Sequence, residues 1–216
     1  MKEAALNALK TLNRYKVYIG IGVGIAIAAG GGTAFFITEK ARKTEVAWQN
    51  LWRINNDLAM AVKEGKGEKD RTAALSTAAD AYKYLKDTMS SSSATPWVLF
   101  QMGNIYYNLK NYDEAIRVYH DFLDRHSGHA ITSMVKQSLG YAYEEKGLFQ
   151  DAVKQFEGIL VAGNNFLLAQ GNWDAGRCYE KLGQTNDAIR SYTKAVELSS
   201  NSNWATMAQY RLSVIR

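Results

Sequence analysis

The stretch "QMGNIYYNLKNYDEAIRVYHDFL", residues 101–123, decides the fold because two later stretches repeat its pattern. They are "SLGYAYEEKGLFQDAVKQFEGIL", residues 138–160, and "DAGRCYEKLGQTNDAIRSYTKAV", residues 174–196. In each stretch a glycine precedes a tyrosine by three positions and an alanine by twelve, and an aromatic residue follows the alanine by four. The glycines are Gly103, Gly140 and Gly176, spaced 37 and 36 residues apart. Such self-similarity predicts an array of stacked helix pairs.

The spacing within each stretch explains how such a pair would pack. A separation of four places the alanine and the aromatic residue on one face of the second helix. A small residue where two helices cross allows close approach, and the aromatic ring fills the remaining space. The pattern resembles the tetratricopeptide repeat, a helix-turn-helix unit with a Leu-Gly-x-x-Tyr first helix and an Ala-x-x-x-Phe second helix. The period exceeds the usual length of roughly 34 residues, which predicts extended loops between repeats.

A partial repeat precedes the three complete ones. Ala78 and Tyr82 lie 37 residues before Ala115 and Tyr119, which predicts a degenerate first repeat at residues 39–89, with its first helix at 39–64. Three full repeats and a C-terminal capping helix are expected at residues 96–216, with Thr95 as the N-cap of the first of these helices. The expected fold class is therefore all-α, a tetratricopeptide-repeat α-solenoid.

An uncharged segment, residues 17–37, precedes the repeats. As a helix rising about 1.5 Å per residue it would span about 31 Å, the thickness of a bilayer's hydrocarbon core. This predicts a single transmembrane helix after a short basic tail, residues 1–16. A secretion signal cleaved near Gly32-Thr33-Ala34 is the alternative, although such signals usually have an apolar region of only about 7–15 residues. A dinucleotide loop is excluded because Ile27 stands where the third glycine is required.

The predicted anchor has a ridge of small residues and asymmetric flanks. The ridge recurs every four positions: Gly20, Gly24, Ala28 and Gly32. It would let a second helix approach closely, so we expect self-association or a membrane-subunit partner. Four basic residues precede the segment and three follow it closely. This favours a cytoplasmic N-terminus and a C-terminal domain outside, which in a bacterial source means an inner-membrane protein with its C-terminal domain in the periplasm.

The composition argues against nucleic-acid binding and catalysis. Residues 38–216 carry 22 basic and 20 acidic side chains, too even a balance for long-range attraction to phosphate. No nucleophile triad or phosphate loop is present, so we expect no enzyme activity and no cofactor. A metal site at His120, His126 and His129 would need further ligands at fixed geometry, and His126 and His129 lie in a predicted loop, so we expect solvated loop histidines and no metal. Cys178 has no partner cysteine, and we expect a packed thiol.

In tetratricopeptide arrays the first helices line a concave face, and the resemblance implies which positions of this chain form it. They combine aromatic and polar side chains, as protein interfaces do. The residues so assigned are Trp97, Phe100, Asn104, Tyr107, Met134, Gln137, Tyr141, Glu144, Trp173 and Arg177. The alternative for each aromatic is packing against the neighbouring repeat. A clamp for acidic chaperone C-termini is not expected, because Phe100 stands where that sub-type has a lysine.

The whole layout, with the segment "AWQNLWRINNDLAMAVKEGKGE" at residues 47–68, resembles the YfgM family of bacterial inner-membrane proteins. The resemblance implies a periplasm-facing accessory of the Sec translocon that works beside a membrane-anchored chaperone and receives emerging chains. We therefore expect a membrane-anchored adaptor that binds proteins through its concave face. The alternatives are a structural or assembly subunit of a larger membrane complex, and a cytoplasmic docking receptor.

Overall fold

The computed structural model describes residues 2–65, 67–159 and 164–215, with side chains described at 15, 16, 18 and from 29 onward. Within these ranges the chain forms nine helices and no strand. The helices are α1 (Lys2–Glu64), α2 (Glu68–Thr88), α3 (Thr95–Asn108), α4 (Tyr112–His126), α5 (Thr132–Glu145), α6 (Phe149–Glu157), α7 (Asn165–Lys181), α8 (Thr185–Leu198) and α9 (Asn203–Val214). The prediction of an all-α fold is confirmed.

The chain divides into two compact units, Met1–Ala47 and Trp48–Arg216. The first unit is the N-terminal part of α1, and the second contains the rest of α1 and helices α2 to α9. Among the residues whose side chains are described, no helix combines the length and apolarity needed to cross a membrane. The side chains of the predicted ridge residues Gly20, Gly24 and Ala28 are not among those described, whereas Gly32 is described and lies within α1.

In the second unit, helices pair in chain order as α3 with α4, α5 with α6, and α7 with α8, and each pair contacts the next. The glycine of each repeat makes this packing possible. A Cβ atom built on Gly103 would lie 2.3 Å from Cε1 of Tyr119, and on Gly140 or Gly176 it would lie 2.4 Å from Cε1 of Phe156 or Tyr192. These rings, with the fully buried alanines Ala115, Ala152 and Ala188, form the centre of the core.

The turn inside each pair has the same backbone geometry. The residue seven positions after the repeat glycine adopts the left-handed conformation: φ is 72° at Gly147, 71° at Gly183 and 59° at Lys110. Glycine takes this conformation without strain, and lysine does so rarely. The turn geometry therefore belongs to the repeat, even where the glycine is missing.

Helix starts differ between the pairs. Asn111, Asn164 and Ser202 cap α4, α7 and α9 by accepting a hydrogen bond from a backbone N–H three residues on. The prediction that Thr95 caps α3 is wrong: the helix already includes Thr95, and Ala94 is its N-cap. The Thr95 hydroxyl instead donates a 3.0 Å hydrogen bond to the carbonyl oxygen of Met89. This bond holds the loop before α3 in place.

A side-chain hydrogen bond joins the C-terminal part of α1 to α2, and its counterpart joins α3 to α4. The Tyr82 hydroxyl donates to Oδ1 of Asn55 at 2.6 Å, and the Tyr119 hydroxyl donates to Oδ1 of Asn104 at the same distance. Asn55 in α1 is thus equivalent to Asn104 in α3. Ile54 then stands where α3 has Gly103, so the close approach of glycine to an aromatic ring is not repeated in this pair.

Candidate functional site

Side chains of consecutive first helices meet on one side of the array. We call this surface the first-helix face; it is formed by α3, α5, α7 and α9, and the hydrogen bond between Tyr82 and Asn55 assigns the C-terminal part of α1 to it. Contacts of α3 with α5 and of α7 with α9 join its members. The ten residues predicted for the concave face belong to α3, α5 and α7. They have three different environments.

Three of the ten line an open cavity of ≈ 450 Å³ between α3 and α5. We call it the amide cavity; its lining residues are Gln101, Asn104, Tyr107, Asn108, Tyr119, Ser138 and Tyr141. None of these seven side chains carries a formal charge at neutral pH. They offer amide and hydroxyl groups, which donate and accept hydrogen bonds, and flat aromatic surface.

The hydrogen bonds of the cavity floor hold its amides in place. Oδ1 of Asn104 accepts from the buried Tyr119 hydroxyl, and Nδ2 of Asn108 donates to the backbone oxygen of Asn104 at 2.8 Å. Burial raises the pKa of Tyr119 above its usual range, so the hydroxyl stays protonated and remains a donor. The two asparagines therefore form a fixed polar floor.

One wall of the cavity is anchored by a carboxylate from the next pair. Tyr107 and Tyr112 both donate to Glu145, at 3.4 and 3.2 Å, and their rings meet edge to face at 5.5 Å. Burial and the nearby Glu145 carboxylate raise the pKa of Tyr107 to about 12. The Tyr107 ring is thus a rigid, neutral wall.

Two predicted contact residues, Glu144 and Arg177, bind each other. The guanidinium of Arg177 donates to both Glu144 oxygens at 2.7 and 2.9 Å, and to Asp174 at 3.0 Å. The Tyr141 hydroxyl donates to the other Asp174 oxygen at 2.7 Å. One repeat further on, Arg211 and Glu180 form an equivalent two-bond pair. The C-terminal half of the first-helix face is therefore an ion-pair ladder that links neighbouring repeats.

Asp174 is the buried member of that ladder. Only 2 % of the residue is exposed. Burial raises the pKa of its carboxyl, and hydrogen bonds from Tyr141 and Arg177 oppose that rise. A carboxylate in this position is stable only because Arg177 and Tyr141 satisfy it.

The remaining predicted residues divide between core and surface. Phe100 and Trp173 are buried; Phe100 packs edge to face on Trp97, and Trp173 lies 5.2 Å from the Tyr192 ring. Gln137 donates to the Tyr141 hydroxyl at 3.4 Å, and Met134 is exposed. For Phe100 and Trp173 the structure thus supports the alternative of packing within the array.

The concave-face positions implied by the family resemblance do not include Gln101, Asn108 and Ser138, which complete the lining of the amide cavity. Helical spacing provides the signal that could have found two of them. Gln101 and Asn108 lie three before and four after Asn104, on the same helix face. Ser138 belongs to the next first helix, and only the packing of α3 against α5 brings it to the cavity.

A larger cavity of ≈ 630 Å³ lies among α6, α7 and α8. Its apolar floor includes Phe156 and Ile159, and charged residues of both signs, including Asp187 and Arg190, form its rim.

The histidines and the cysteine pack within the array, and the prediction that His126 is a solvated loop residue is wrong because it belongs to α4 and its Nε2 atom is buried. Among the described residues, no group of three or more His, Cys, Asp or Glu side chains is placed to hold a metal ion. His120 makes a 2.7 Å hydrogen bond with the Tyr143 hydroxyl, and His126 and His129 pack on the Phe122 ring. Cys178 is fully buried, and burial raises its pKa to about 12, so its thiol is unreactive in the folded chain.

His126 predicts how stability changes with pH. Its Nε2 atom is buried with no hydrogen-bond partner. Burial, with Arg125 and His129 nearby, lowers its pKa below the usual 6.5, and Asp121 opposes that shift only in part. The unfolded chain therefore binds a proton more readily, so stability is lost as pH falls below 6.5. We expect His126→Leu to reduce this loss in urea titrations between about pH 7.5 and 5.5; an unchanged slope would contradict the assignment.

Comparison with known proteins agrees with this architecture. Residues 96–127 and residues 169–202 each match the family model of the tetratricopeptide repeat. A comparison with curated proteins finds no match. Among solved structures, MamA from Desulfovibrio magneticus RS-1 is similar with a TM-score of 0.57 and 19% identity, covering 77% of this chain and 83% of that chain.

Two further structures are similar in the same way. A tetratricopeptide repeat protein from Parabacteroides merdae ATCC 43184 has a TM-score of 0.58 and 18% identity, covering 76% of this chain and 59% of its own. PcrH from Pseudomonas aeruginosa has a TM-score of 0.50 and 18% identity, covering 57% of this chain and 93% of its own. The chain thus carries tetratricopeptide repeats and folds as an all-α solenoid, as predicted. The resemblance to the YfgM family stays a prediction.

Proposed function

We propose that the protein is a membrane-anchored adaptor without catalytic activity, which binds extended segments of other proteins in the amide cavity. The observation that supports this most is the neutral lining of that cavity. A peptide group offers one donor and one acceptor, and an Asn or Gln side chain offers the matching pair. Recognition through the main chain depends little on sequence, which suits an adaptor with many clients.

The anchor and the location are part of the same proposal. Residues 17–37 would cross the bacterial inner membrane once, with the N-terminus in the cytoplasm and the repeats in the periplasm. The uncharged length of this segment supports the anchor, and its basic flanks support the orientation. The resemblance to the YfgM family suggests clients that emerge from the Sec translocon and pass to a chaperone.

A second candidate function is a structural subunit of a membrane complex. It is favoured by α9, whose Met207, Tyr210 and Val214 are exposed at helical spacing. Contiguous exposed apolar patches mark protein or membrane interaction sites. A structural subunit would hold one fixed set of partners, whereas an adaptor would hold many at low occupancy.

The test compares two double variants of the tagged full-length chain purified in mild detergent. Gln101→Ala with Asn108→Ala removes two cavity amides. The matched control, Gln150→Ala with Asn186→Ala, removes two exposed amides from α6 and α8, the second helices of their pairs.

We expect the cavity variant to recover about tenfold fewer client polypeptides, because a few central contacts carry most binding energy. The control should match the unmodified protein when copurified proteins are quantified by mass spectrometry. Equal client recovery from both variants would contradict the proposal. One partner set at constant ratio in all samples would support the structural subunit.

A further inference from the structure

The C-terminal part of α1 presents an apolar surface that the repeat motif does not reveal. Because Asn55 is equivalent to Asn104, the other positions of α1 can be aligned with α3. Trp48 then corresponds to Trp97, because each tryptophan lies seven residues before the asparagine of its own helix. Trp52 corresponds to Gln101, three residues before, and Gln101 lines the amide cavity. Trp52 therefore occupies a position of the first-helix face.

This face of α1 is uncharged and open, and all its residues except Asn55 are apolar. Trp52 is 69 % exposed, and Trp48 and Val62 are exposed as well. The spacing of residues 48, 52, 55, 59 and 62 places them on one side of the helix, and none of them is charged. The Trp48 indole N–H donates to the Ser93 hydroxyl at 3.4 Å, which holds its ring in place. Trp52 is the more accessible of the two rings.

The first-helix face therefore changes character along the array. It is apolar at α1, neutral and hydrogen-bonding between α3 and α5, and ion-paired from α5 to α9. The ion pairs satisfy their own charges, so they attract a charged ligand weakly. The side chains that complement this surface are apolar at one end and uncharged in the middle.

We infer that Trp52, with Trp48, forms a subsite for an apolar side chain of the polypeptide segment bound in the amide cavity. This inference rests on the proposed function. Neighbouring helices lie about 8–10 Å apart, which an extended chain covers in about three residues. The preferred client is thus an uncharged segment with an aromatic or branched aliphatic side chain about three residues from the part held by the amides.

The test uses two short fluorescent peptides built from Gly, Ser, Asn and Thr. One carries a single Phe toward its end, and the other has Ser at that position. Fluorescence anisotropy measures their affinity for the full-length chain in mild detergent. Trp52→Ala is compared with Tyr84→Ala, because Tyr84 of α2 is 72 % exposed and lies off the first-helix face. Circular dichroism checks that both variants keep their helices.

We expect the Phe peptide to bind about tenfold more tightly than the Ser peptide, the scale of an aromatic anchor. Trp52→Ala should abolish this difference and leave Ser-peptide affinity intact, whereas Tyr84→Ala should change neither. Equal binding of both peptides, unaffected by Trp52→Ala, would overturn the subsite and leave the proposed function standing. Binding of neither peptide would overturn both.

A membrane surface is the competing occupant, since tryptophan also favours the headgroup region. Reconstitution of the full chain into phosphatidylcholine vesicles that contain brominated lipid distinguishes it. If Trp52 contacts the peptide, bromine should quench tryptophan fluorescence equally in the unmodified chain and in Trp52→Phe. Quenching that is lost in Trp52→Phe would place the ring in the bilayer and overturn the subsite.

Discussion

Replacing Gly140 by alanine is expected to lower the free energy of unfolding by about 2 kcal/mol. In an ordinary helix the same change stabilises by about 0.5–1 kcal/mol, because alanine restricts the unfolded chain and favours the helix. Here the added Cβ would lie 2.4 Å from Cε1 and 2.7 Å from Cζ of Phe156. That ring is buried and packs on Tyr141 at 5.3 Å between centroids, so the ring and its neighbours must all shift.

Urea titration of the full-length chain, followed by circular dichroism, measures this change. Gly128→Ala is the matched control, because a Cβ at Gly128 has no atom within 4 Å; its effect should stay within about 0.5 kcal/mol. Adding Phe156→Leu to Gly140→Ala should restore part of the loss, since a smaller side chain leaves room for the methyl group. A Gly140→Ala protein as stable as the Gly128→Ala protein would show that the helices are not in contact here.

Replacing Arg177 by methionine is expected to open α7 about 30-fold more often. The change leaves the buried Asp174 carboxylate and Glu144 without their shared cation. Breaking a fully buried pair costs about 3–5 kcal/mol. Because the Arg177 side chain is 35 % exposed, we expect about 2 kcal/mol, which corresponds to that 30-fold change.

Cys178, the neighbouring residue and the single cysteine of the chain, reports this opening directly. Its thiol is fully buried, so a thiol reagent labels it only when α7 opens. Arg117→Met is the control, since Arg117 pairs with Glu114 on the exposed surface and should change the labelling rate little. Asp174→Asn should rescue Arg177→Met in part by removing the buried charge. Equal labelling of the Arg177→Met and unmodified chains would refute the role assigned to the ladder.

The repeat fold was predictable because its packing rule is local in sequence. Gly103 and Tyr119 lie sixteen positions apart, and the same spacing returns in the next two repeats. In the first pair, Ile54 stands where the later pairs have glycine, and Ala78 follows it by 24 positions instead of twelve. The alignment of α1 with the first helices of the later pairs therefore follows only from the hydrogen bond between Tyr82 and Asn55.

The candidate site was predictable only in part. Three of the positions implied by the family resemblance, Asn104, Tyr107 and Tyr141, line one cavity. The same positions assigned Glu144 and Arg177 to a ligand, although the structure pairs them with each other across 33 residues. The rotation between neighbouring repeats determines which acidic and basic side chains form ion pairs. Repeat spacing alone does not determine that rotation.

Site-specific photo-crosslinking in living cells tests most directly whether the amide cavity binds polypeptide. A photoreactive amino acid replaces Asn108 in the cavity or, as a control, Asn186 on the second helix α8. We predict crosslinks to many different polypeptides from position 108, and few from position 186. The same crosslinks from both positions, or none from position 108, would contradict this prediction.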